Sequence, residues 1–300
     1  MVDNLIIQEG NIDIHCHGGG GFYFSDTNSL NIASAINFHK THGTANLLTS
    51  LITDSIDELK LQIKRLLPFY NEGQIAGIHL EGPYLAHARC GAHSPEKLKS
   101  PTLEEVRELL EISEGSIKMI TLAPELEGAI NTIKYLSKNK VVAAIGHSDG
   151  SYDDALRAVD AGASLVTHFN NGMCKFSDGD KTFATALLYD SIIPLELILD
   201  GYHVNETDVS LILEVASDRI VFVTDAMAAA GQPDGKYMIG ELKVEVSNGV
   251  ARLKSNDALA GSTLTMEKII QNARKLGISE VIIQNGTQKL PFEILKRETC

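Results

Sequence analysis

Two periodicities alternate along the chain. Short apolar runs rich in β-branched residues predict buried strands, and the amphipathic stretches between them predict helices. The strand candidates are 5–15, 45–53, 75–82, 117–125, 141–149, 164–171, 195–203 and 219–227. The helix candidates are 29–43, 55–70, 102–113, 128–139, 151–162, 206–217 and 263–277. Several of these helices begin with Ser or Thr ahead of acidic residues, which is typical of N-caps.

The order of these elements indicates the fold class. Regular alternation of strand and helix is the pattern of parallel βα units. Eight such units predict an α/β protein with a closed (β/α)8 barrel of the TIM type. A doubly wound open sheet is the structural alternative that the same alternation allows.

The pattern changes after the eighth strand candidate. Residues 236–254 alternate with period two on both sides of Asn248 and Gly249, and Asn-Gly between alternating runs is a strong hairpin signal. We expect a small β-hairpin inserted before the last barrel helix. Because no shift in composition and no Pro/Gly/Ser-rich linker marks a boundary, we interpret residues 1–300 as a single barrel domain.

Composition restricts the classes of protein to which the chain can belong. With 300 residues and 44% hydrophobic content, the chain can bury a large core. The net charge of −13 argues against nucleic-acid binding, which requires a basic face. Four cysteines without a CxxC pair favour reduced thiols. The first residues lack the features of a signal peptide and no apolar run approaches membrane-spanning length, so we expect a cytoplasmic protein without membrane contact.

Titratable side chains recur at the carboxyl ends of the predicted strands. In a barrel these ends meet at one rim, where active sites are found. The stretch NIDIHCHGGGG (11–21) places His15 and His17 on the same face of the first strand, and four glycines follow that would leave room above them. The residues at the other strand ends are Glu81, His147, His168 and Asp225.

This set of side chains is typical of a metal site with one or two divalent ions. Imidazole and carboxylate suit Zn²⁺, Fe²⁺, Co²⁺ or Mn²⁺, of which we favour zinc. Such an ion lowers the pKa of a bound water and polarises a carbonyl group. If Asp225 lies off the metal, it could take a proton from that water and later give it to a leaving group.

Three other residues near this rim receive a structural interpretation. His39, on a helix candidate, is expected to pack or to be exposed. Cys16 should face the helices, away from the histidine pair, and serve packing. His79 lies two residues before Glu81 and should point into the barrel, where it either supports a ligand or only packs.

Six longer motifs resemble those of a known family. They are DIHCHG, GIHLEGPYLAHARCGAH, IGHSDGSYDDALRAVDAGASLVTHFNNGM, DGYHVN, VTDAMAAAGQPDGKYMIGE and LAGSTLTMEKII. In this order they are similar to motifs of the N-acetylglucosamine-6-phosphate deacetylases of the amidohydrolase superfamily. The similarity covers most of residues 11–275. It implies a barrel hydrolase that converts N-acetylglucosamine 6-phosphate to glucosamine 6-phosphate and acetate.

The resemblance also implies the catalytic roles. It assigns metal binding to His15, His17, Glu81, His147 and His168. The first two resemble the pair that holds one ion in two-metal members, and the last two resemble ligands of the main ion. Glu81 resembles the carboxylate that replaces the superfamily's carbamylated lysine. Asp225 resembles the catalytic acid and base, and His93 resembles the group that polarises the substrate carbonyl.

The remaining matched residues imply substrate contacts. Asn171 and Gly172 match an Asn-Ala segment whose backbone contacts the ligand, and His203 matches a histidine near the phosphate. The substrate-binding residues implied in this way are Ala92, His93, Asn171, Gly172, His203, Leu259, Ala260 and Gly261, of which the last three line the acetyl pocket. A small-molecule amino sugar is therefore the expected partner, and the family suggests a homodimer.

Two departures from the family pattern affect these expectations. The family carries a β-sandwich built from N-terminal and C-terminal segments, which we expect to be reduced or absent here. It also has a phosphate-binding arginine after the motif THxxNxM, and Gly179 stands at that place. Lys175 or Lys181 could substitute, although lysine lacks the bidentate geometry of arginine.

Three hypotheses of function follow. The first is metal-dependent deacetylation of N-acetylglucosamine 6-phosphate. The second keeps the metal chemistry but changes the substrate to a non-phosphorylated N-acyl sugar or another small amide, which the missing arginine favours. The third is a non-catalytic sugar-phosphate sensor, against which the complete ligand set and Asp225 argue.

Overall fold

The strands form a barrel. A computed structural model describes residues 7–296 of the chain. Its central strands are β1 (Ile12–Asp13), β2 (Asn46–Ile52), β3 (Gly77–Glu81), β4 (Ile117–Leu122), β5 (Val142–Ile145), β6 (Leu165–Val166), β7 (Leu195–Leu197) and β8 (Ile220–Phe222). Each strand pairs in parallel with the next one along the chain. This is the strand order of a (β/α)8 barrel.

Hydrogen bonds between the segment of the first strand and the residues that follow the last strand close the barrel. The hydroxyl of Thr224 donates to Oδ2 of Asp13 over 2.6 Å. The backbone amide of Asp225 donates to the carbonyl oxygen of His15 over 2.8 Å. Because an open sheet keeps its first and last strands apart, these contacts confirm the TIM-type barrel and exclude the open sheet.

The strands are shorter than the apolar runs from which they were predicted. The first candidate, 5–15, contributes only Ile12–Asp13 to the sheet, and its first two residues lie outside the described part of the chain. Three other strands end before the polar residues that follow them. At His147, His168 and Asp225 the φ angle is positive (47°, 26° and 48°), which ends extended structure.

Helices surround the barrel. They are α1 (Ser29–Thr41), α2 (Ile56–Asn71), α3 (Leu103–Ile112), α4 (Ala129–Lys138), α5 (Tyr152–Asp160), α6 (Phe183–Tyr189), α7 (Glu206–Ala216), α8 (Met266–Lys275), α9 (Glu280–Gln284) and α10 (Leu290–Leu295), with a π-helical turn, Asn285–Lys289, between the last two. The side chains of Ser55, Thr102 and Ser151 accept a hydrogen bond from the third amide of the helix that each begins. Within residues 7–296, none of these helices has both the length and the apolar character that a membrane span requires.

Three helices were not predicted from the sequence. Residues Phe183 to Leu188 of α6 are all buried, so this helix lacks the polar face that makes a helical period visible. The helices α9 and α10 are five and six residues long, which is shorter than the window over which a period can be recognised.

A small antiparallel sheet follows the last barrel strand. Its strands are β9 (Gly235–Ile239), β10 (Leu242–Ser247) and β11 (Val250–Leu253). Asn248 and Gly249 between β10 and β11 both have positive φ (52° and 75°), as a type I′ turn requires. The insertion therefore contains the predicted hairpin and one further strand, β9. Its buried face forms a second small core that includes Met227 and Ala260.

The glycines after the first strand serve close packing. Gly18 and Gly19 lie in a short antiparallel ribbon. A Cβ added to Gly18 would lie 2.2 Å from the carbonyl oxygen of Phe22, and one added to Gly19 would lie 2.5 Å from Cδ1 of Phe38 on α1. For Gly18 and Gly19 the expectation of free room above the histidine pair is therefore wrong, because neighbouring protein atoms occupy the space where their side chains would lie.

Candidate active site

Six predicted residues converge at the carboxyl-terminal rim of the barrel. The side chains that meet there belong to His15, His17, Glu81, His147, His168 and Asp225, and each residue is at most 7% exposed. Three of them have the left-handed backbone described above. For a residue with a Cβ, this conformation costs about 1 kcal/mol or more and is typical of functional sites.

Glu81 lies at the centre of this cluster. Its Oε1 is 3.0 Å from Nε2 of His168 and 3.2 Å from Nε2 of His147. Its Oε2 is 3.1 Å from Nε2 of His17. Nε2 of His15 is also nearest Oε1, at 3.5 Å, so the carboxylate of Glu81 contacts all four imidazoles of the cluster.

The ring nitrogens within each histidine pair face each other. Nε2 of His147 is 2.9 Å from Nε2 of His168, and Nε2 of His15 is 3.1 Å from Nε2 of His17. Oδ1 of Asp225 lies 3.3 Å from Nε2 of His17, at the edge of the second pair. Two unprotonated nitrogens at these distances repel each other unless a proton or a cation lies between them.

Hydrogen bonds outside the cluster decide which nitrogen of two rings carries the proton. Nδ1 of His147 is 2.7 Å from the carbonyl oxygen of Arg89, and Nδ1 of His15 is 2.9 Å from Oε2 of Glu196. A carbonyl and a carboxylate can only accept, so each neutral ring has its proton on Nδ1 and its lone pair on Nε2, facing the cluster. Converging imidazole lone pairs and carboxylates are the donor set that zinc and related ions bind, so the residues fit a metal ion.

The electrostatics of the cluster also favour a cation. Burial opposes the charged form of His15, but the carboxylates of Glu196 and Glu81 outweigh burial and raise the pKa of His15 well above its ordinary value. Burial likewise opposes the ionisation of Asp225, yet the nearby His15 and His17 lower the pKa of this carboxyl to about 2. The rim thus holds buried, ionised carboxylates that protons or a metal ion must balance.

His93 faces the cluster as a hydrogen-bond donor. Its Nδ1 accepts from the backbone amide of Thr53 (3.3 Å) and lies 2.8 Å from the hydroxyl of the same residue. Since a backbone amide can only donate, the ring proton lies on Nε2, which is 3.3 Å from Oε2 of Glu81. Burial lowers the pKa of His93 to about 4, so the ring is neutral at neutral pH.

A cavity of about 200 Å³ opens above the cluster. Seven of the eight predicted substrate-binding residues line it: Ala92, His93, Asn171, Gly172, His203, Leu259 and Gly261. The eighth, Ala260, is fully buried behind the wall, in the core of the three-stranded sheet. Ala260 therefore supports the wall and does not face the cavity.

The wall of this cavity has a polar and an apolar side. The histidines and carboxylates of the cluster form the polar side. The apolar side includes Ile52 from the end of β2, Ile239 from β9, and Ala258 and Leu259 from the segment after β11. Three of these four residues come from the inserted sheet and the segment that follows it, so the insertion forms much of the apolar part of the cavity wall.

The cavity is short of cationic side chains. Among the residues that the structure describes, no lysine or arginine lines it. The ammonium group of Lys181 lies 5.8 Å from the ring centre of Tyr152, and neither Lys181 nor Lys175 borders the cavity. His203 does border it, and its Nδ1 is 2.7 Å from Oδ2 of Asp200.

A larger cavity lies at the opposite end of the barrel. It measures about 970 Å³ and is bordered by residues 7–10, 217–218 and 281–293. None of the residues predicted to carry chemistry lines it. We place the candidate active site at the smaller cavity, because that cavity holds the titratable cluster.

His39 and Cys16 lie beside the site. Sγ of Cys16 faces α1 and is 3.1 Å from Nε2 of His39, and both side chains are fully buried. Cys16 thus faces the helices, as predicted from the sequence, and the packing role of both residues stays a prediction. His79 points into the barrel, where its ring nitrogens lie 2.9 Å from the hydroxyl of Ser50 and 2.8 Å from that of Thr121.

The chain is similar in sequence to known deacetylases. It is 35% identical over 270 residues to the N-acetylgalactosamine-6-phosphate deacetylase of Escherichia coli O157:H7, covering 88% of this chain and 71% of that enzyme. It is 34% identical to the N-acetylglucosamine-6-phosphate deacetylase of Lysinibacillus sphaericus, covering 89% of this chain and 70% of that enzyme. No family model matches the chain.

The fold is similar to those of solved deacetylases. The N-acetylglucosamine-6-phosphate deacetylase of Mycobacterium smegmatis, solved in complex with N-acetyl-D-glucosamine-6-phosphate, matches with a TM-score of 0.91 and 36% identity, covering 95% of this chain and 77% of that one. The enzyme of Thermotoga maritima matches with a TM-score of 0.88 and 30% identity, covering 95% and 78%. This chain belongs to the N-acetylglucosamine-6-phosphate deacetylase family.

Membership in the N-acetylglucosamine-6-phosphate deacetylase family confirms the resemblance drawn from the motifs. Enzymes of this family are metal-dependent amidohydrolases, and groups of buried histidine and carboxylate ligands that could hold an ion are present at the rim.

Three residues of the deacetylase-family site were missed in the sequence. Glu196 reaches His15 from β7, Thr53 holds His93, and Asp200 holds His203. A signal existed for Glu196, because a charged residue in the middle of the apolar run LELIL is unusual for a buried strand. Thr53 ends the strand candidate 45–53 and Asp200 lies within the candidate 195–203, and their roles become recognisable only from their contacts.

Proposed function

We propose that the protein is a metal-dependent deacetylase of N-acetylhexosamine 6-phosphates, and that its main substrate is N-acetylglucosamine 6-phosphate. The products are glucosamine 6-phosphate and acetate. The observation that carries the proposal is the convergence of four imidazoles and two carboxylates beneath a small cavity, in a chain of this family. The relatives are named for both the galactosamine and the glucosamine substrate, which is why we propose the wider class first.

The metal ligands in this proposal are His15, His17, Glu81, His147 and His168. Glu81 would help to hold either ion, because its carboxylate contacts all four imidazoles. Zinc suits this mixture of imidazole and carboxylate best. A bound divalent cation would lower the pKa of a water molecule and polarise the amide carbonyl of the substrate.

Asp225 moves the proton in the proposed mechanism. Its carboxylate lines the cavity and lies 3.3 Å from Nε2 of His17, so it borders the space in which an attacking water would lie. It accepts a proton from that water as the new C–O bond forms. It then gives this proton to the amide nitrogen, and the C–N bond breaks to release the amine and acetate.

His93 stabilises the developing charge on the carbonyl oxygen. Its Nε2 carries the ring proton and faces the cluster, as the contacts with Thr53 and Glu81 require. A neutral imidazole that donates a hydrogen bond to an oxygen with growing negative charge contributes most in a water-poor site. The contact with Thr53 keeps the ring in this orientation before substrate binds.

The two sides of the cavity suit the two ends of an N-acyl sugar. The methyl of the acetyl group fits the apolar side, where Leu259 and Ile239 lie. The sugar and its phosphate fit the polar groups of Asn171, Gly172 and His203. Backbone amides after the late barrel strands often contribute to phosphate sites.

A second candidate substrate is a non-phosphorylated N-acyl sugar or another small amide. It is favoured by the cavity wall, in which the described residues include no lysine or arginine. A guanidinium group normally gives a phosphate two matched hydrogen bonds, and Gly179 stands where the family has its arginine. We therefore expect a smaller preference for the phosphorylated sugar than an arginine-bearing relative shows.

Turnover and metal content measured on one sample test the proposal. We expect the purified protein to release acetate from N-acetylglucosamine 6-phosphate, to lose this activity on chelation and to regain it with zinc. Acetate release from the free sugar alone would favour the second candidate. A metal-loaded protein that binds the sugar phosphate but releases no acetate would be a sensor, and the proposal would be wrong.

Metal titration tests the number of ions. We expect two equivalents per chain, and we expect one of them to be lost in the double variant His15→Ala, His17→Ala. A single equivalent that the double variant leaves unchanged would remove the second site. The single barrel domain over residues 1–300 and the homodimer stay predictions, and size-exclusion chromatography with light scattering checks the latter.

A further inference from the structure

Glu196 is a buried carboxylate with no role in the proposed mechanism. It lies in the middle of β7, and its side chain is 0% exposed. Removing a carboxylate from water is costly unless hydrogen bonds and an opposite charge compensate it. The groups that contact Glu196 therefore indicate its role.

One oxygen of Glu196 holds two candidate metal ligands. Its Oε2 accepts a hydrogen bond from Nδ1 of His15 over 2.9 Å and another from the backbone amide of His168 over 3.0 Å. His15 belongs to the histidine pair 15/17, and His168 belongs to the pair 147/168. A single atom thus connects the two halves of the cluster from the interior of the barrel.

The contact with His15 determines the tautomer of that ring and the direction of its lone pair. Because Oε2 can only accept, the ring proton is kept on Nδ1 and the lone pair stays on Nε2, facing His17 and Glu81. A carboxylate behind a ligating histidine also makes the histidine a stronger ligand.

The contact with His168 acts on the backbone. This residue has φ of 26°, a strained conformation that its surroundings must hold in place. Its Nδ1 has no hydrogen-bond partner within the described part of the chain, so no bond of its own orients the ring from behind. The hydrogen bond from its amide to Glu196 therefore fixes the backbone of His168, and with it the position from which the imidazole extends.

We propose that Glu196 is a positioning residue that orients one ligand in each histidine pair, His15 in the pair 15/17 and His168 in the pair 147/168. Removing it should weaken metal binding at the pair 147/168 as well as at the pair 15/17. The inference rests on the proposed function, because it requires these histidine pairs to bind metal ions. A purely structural carboxylate would instead affect the stability of the barrel and leave metal affinity alone.

Metal affinity separates these two roles. The variants are Glu196→Ala, which removes both hydrogen bonds, and Glu196→Gln, which can keep an oxygen at the position of Oε2 but loses the charge. Thr121→Val is the matched control, since it removes buried side-chain hydrogen bonds to His79 and Thr167 in the same barrel, and the lost hydroxyl makes no hydrogen bond to a proposed ligand. For each protein, zinc affinity is measured by competition with a chelator, and the Co²⁺-loaded form is followed by its visible absorption.

We expect Glu196→Ala to lower the affinity for every bound ion by about 10–100-fold, Glu196→Gln to lower it less, and Thr121→Val to leave it within about threefold. His15→Ala, by contrast, should weaken chiefly the ion of the pair 15/17. If the wild type binds one ion, the same fall is expected for that ion. The inference is wrong if Glu196→Ala and Glu196→Gln both bind zinc as the wild type does. It is also wrong if the wild type binds two ions and Glu196→Ala weakens only the ion that His15→Ala weakens. A wild type that binds no divalent ion would refute the proposed function itself.

Thermal unfolding of the metal-free proteins shows whether the variants fold. If Glu196→Ala does not fold, Glu196→Gln decides the question alone, because it preserves the shape of the side chain. Unchanged zinc affinity in a folded Glu196→Gln protein would then overturn the inference, and a lowered affinity with an altered Co²⁺ spectrum would support it.

Discussion

Oδ2 of Asp200 lies 2.7 Å from Nδ1 of His203, at the border of the cavity above the cluster. Oδ1 of the same carboxylate accepts hydrogen bonds from the backbone amides of Tyr202 (2.8 Å) and His203 (2.9 Å). The imidazole is therefore held by Nδ1, and Nε2 is the ring nitrogen left for a ligand. In a cavity wall without lysine or arginine among the described residues, His203 is the group best placed to meet a phosphate.

The first prediction concerns this pair. Asp200→Asn should reduce the preference for N-acetylglucosamine 6-phosphate over the free sugar by about tenfold, because the charged hydrogen bond that orients His203 is lost. The measurement is the ratio of kcat/KM for the two sugars. Lys181→Ala is the control and should change this ratio little, since Lys181 does not border the cavity. If this ratio of kcat/KM falls in Lys181→Ala but not in Asp200→Asn, the phosphate does not bind at His203.

Acid unfolding gives a second prediction for the same carboxylate. Although burial opposes its ionisation, the hydrogen bond and charge of His203 lower the pKa of Asp200 below its ordinary value. A carboxyl with a lowered folded-state pKa stabilises the fold above its unfolded pKa, near 4, and this contribution is lost as the pH falls through the folded pKa. The Tm of the wild type should therefore exceed that of Asp200→Asn at pH 6, and the difference should shrink below about pH 4. A constant difference across this range would contradict the assignment.

Asp225→Asn should retain the fold and the metal but lose most turnover. Loss of a group that transfers protons lowers the rate by about 10²–10⁴-fold. The measurements are kcat with N-acetylglucosamine 6-phosphate, zinc content and Tm on the same preparation. Activity near that of the wild type would mean that another residue moves the proton.

Gly172→Ala should loosen the metal site. A Cβ at Gly172 would lie 3.0 Å from Nδ1 of His147, and the residue has φ of +59°, so the ring would have to shift. We expect zinc affinity to fall by about tenfold, which is typical of changes to residues that orient a metal ligand. Gly179→Ala is the control, because the nearest atom to its added Cβ is a methyl of Thr182 at 3.9 Å. Equal zinc affinities in the two variants would show that the ring of His147 can shift without weakening metal binding.

Ile239→Ala should widen the acyl side of the cavity. The side chain of Ile239 is 3% exposed and lines the cavity, whereas its neighbour Met238 is 44% exposed. One methylene in an apolar pocket changes discrimination by about 10–200-fold. The ratio of kcat/KM for N-propionylglucosamine 6-phosphate to that for the acetyl substrate should therefore rise about tenfold in Ile239→Ala and stay constant in Met238→Ala. If both ratios stay constant, the acyl group does not contact β9.

The barrel could be predicted from the sequence because its signal is repeated eight times along the chain. Each apolar run and each amphipathic stretch supports the same parallel unit, so a misjudged boundary does not change the fold. The helix α6 was missed because burial on all sides removes the periodicity on which the prediction depends.

The proposed metal ligands could be located because they follow one rule, which is that each stands at the carboxyl end of a predicted strand. The residues that support the site could not be found by this rule. Thr53 ends the predicted strand 45–53, but its contact is with His93, 40 positions away. Glu196 lies inside a strand and contacts His15, 181 positions away, and such separations leave no local pattern. The role of Gly18 and Gly19 was misjudged for a related reason, since a run of glycines does not reveal which neighbour occupies the space beside it.

The left-handed backbone at His147, His168 and Asp225 has a consequence for selection. Glycine adopts this conformation without steric penalty, so replacing any of the three with glycine relieves strain of about 1 kcal/mol at that residue while removing a functional side chain. This relief offsets part of the stability that is lost with the buried side chain and its contacts. Stability alone therefore protects these three positions less than their burial suggests, and a demand for turnover is what keeps them as they are.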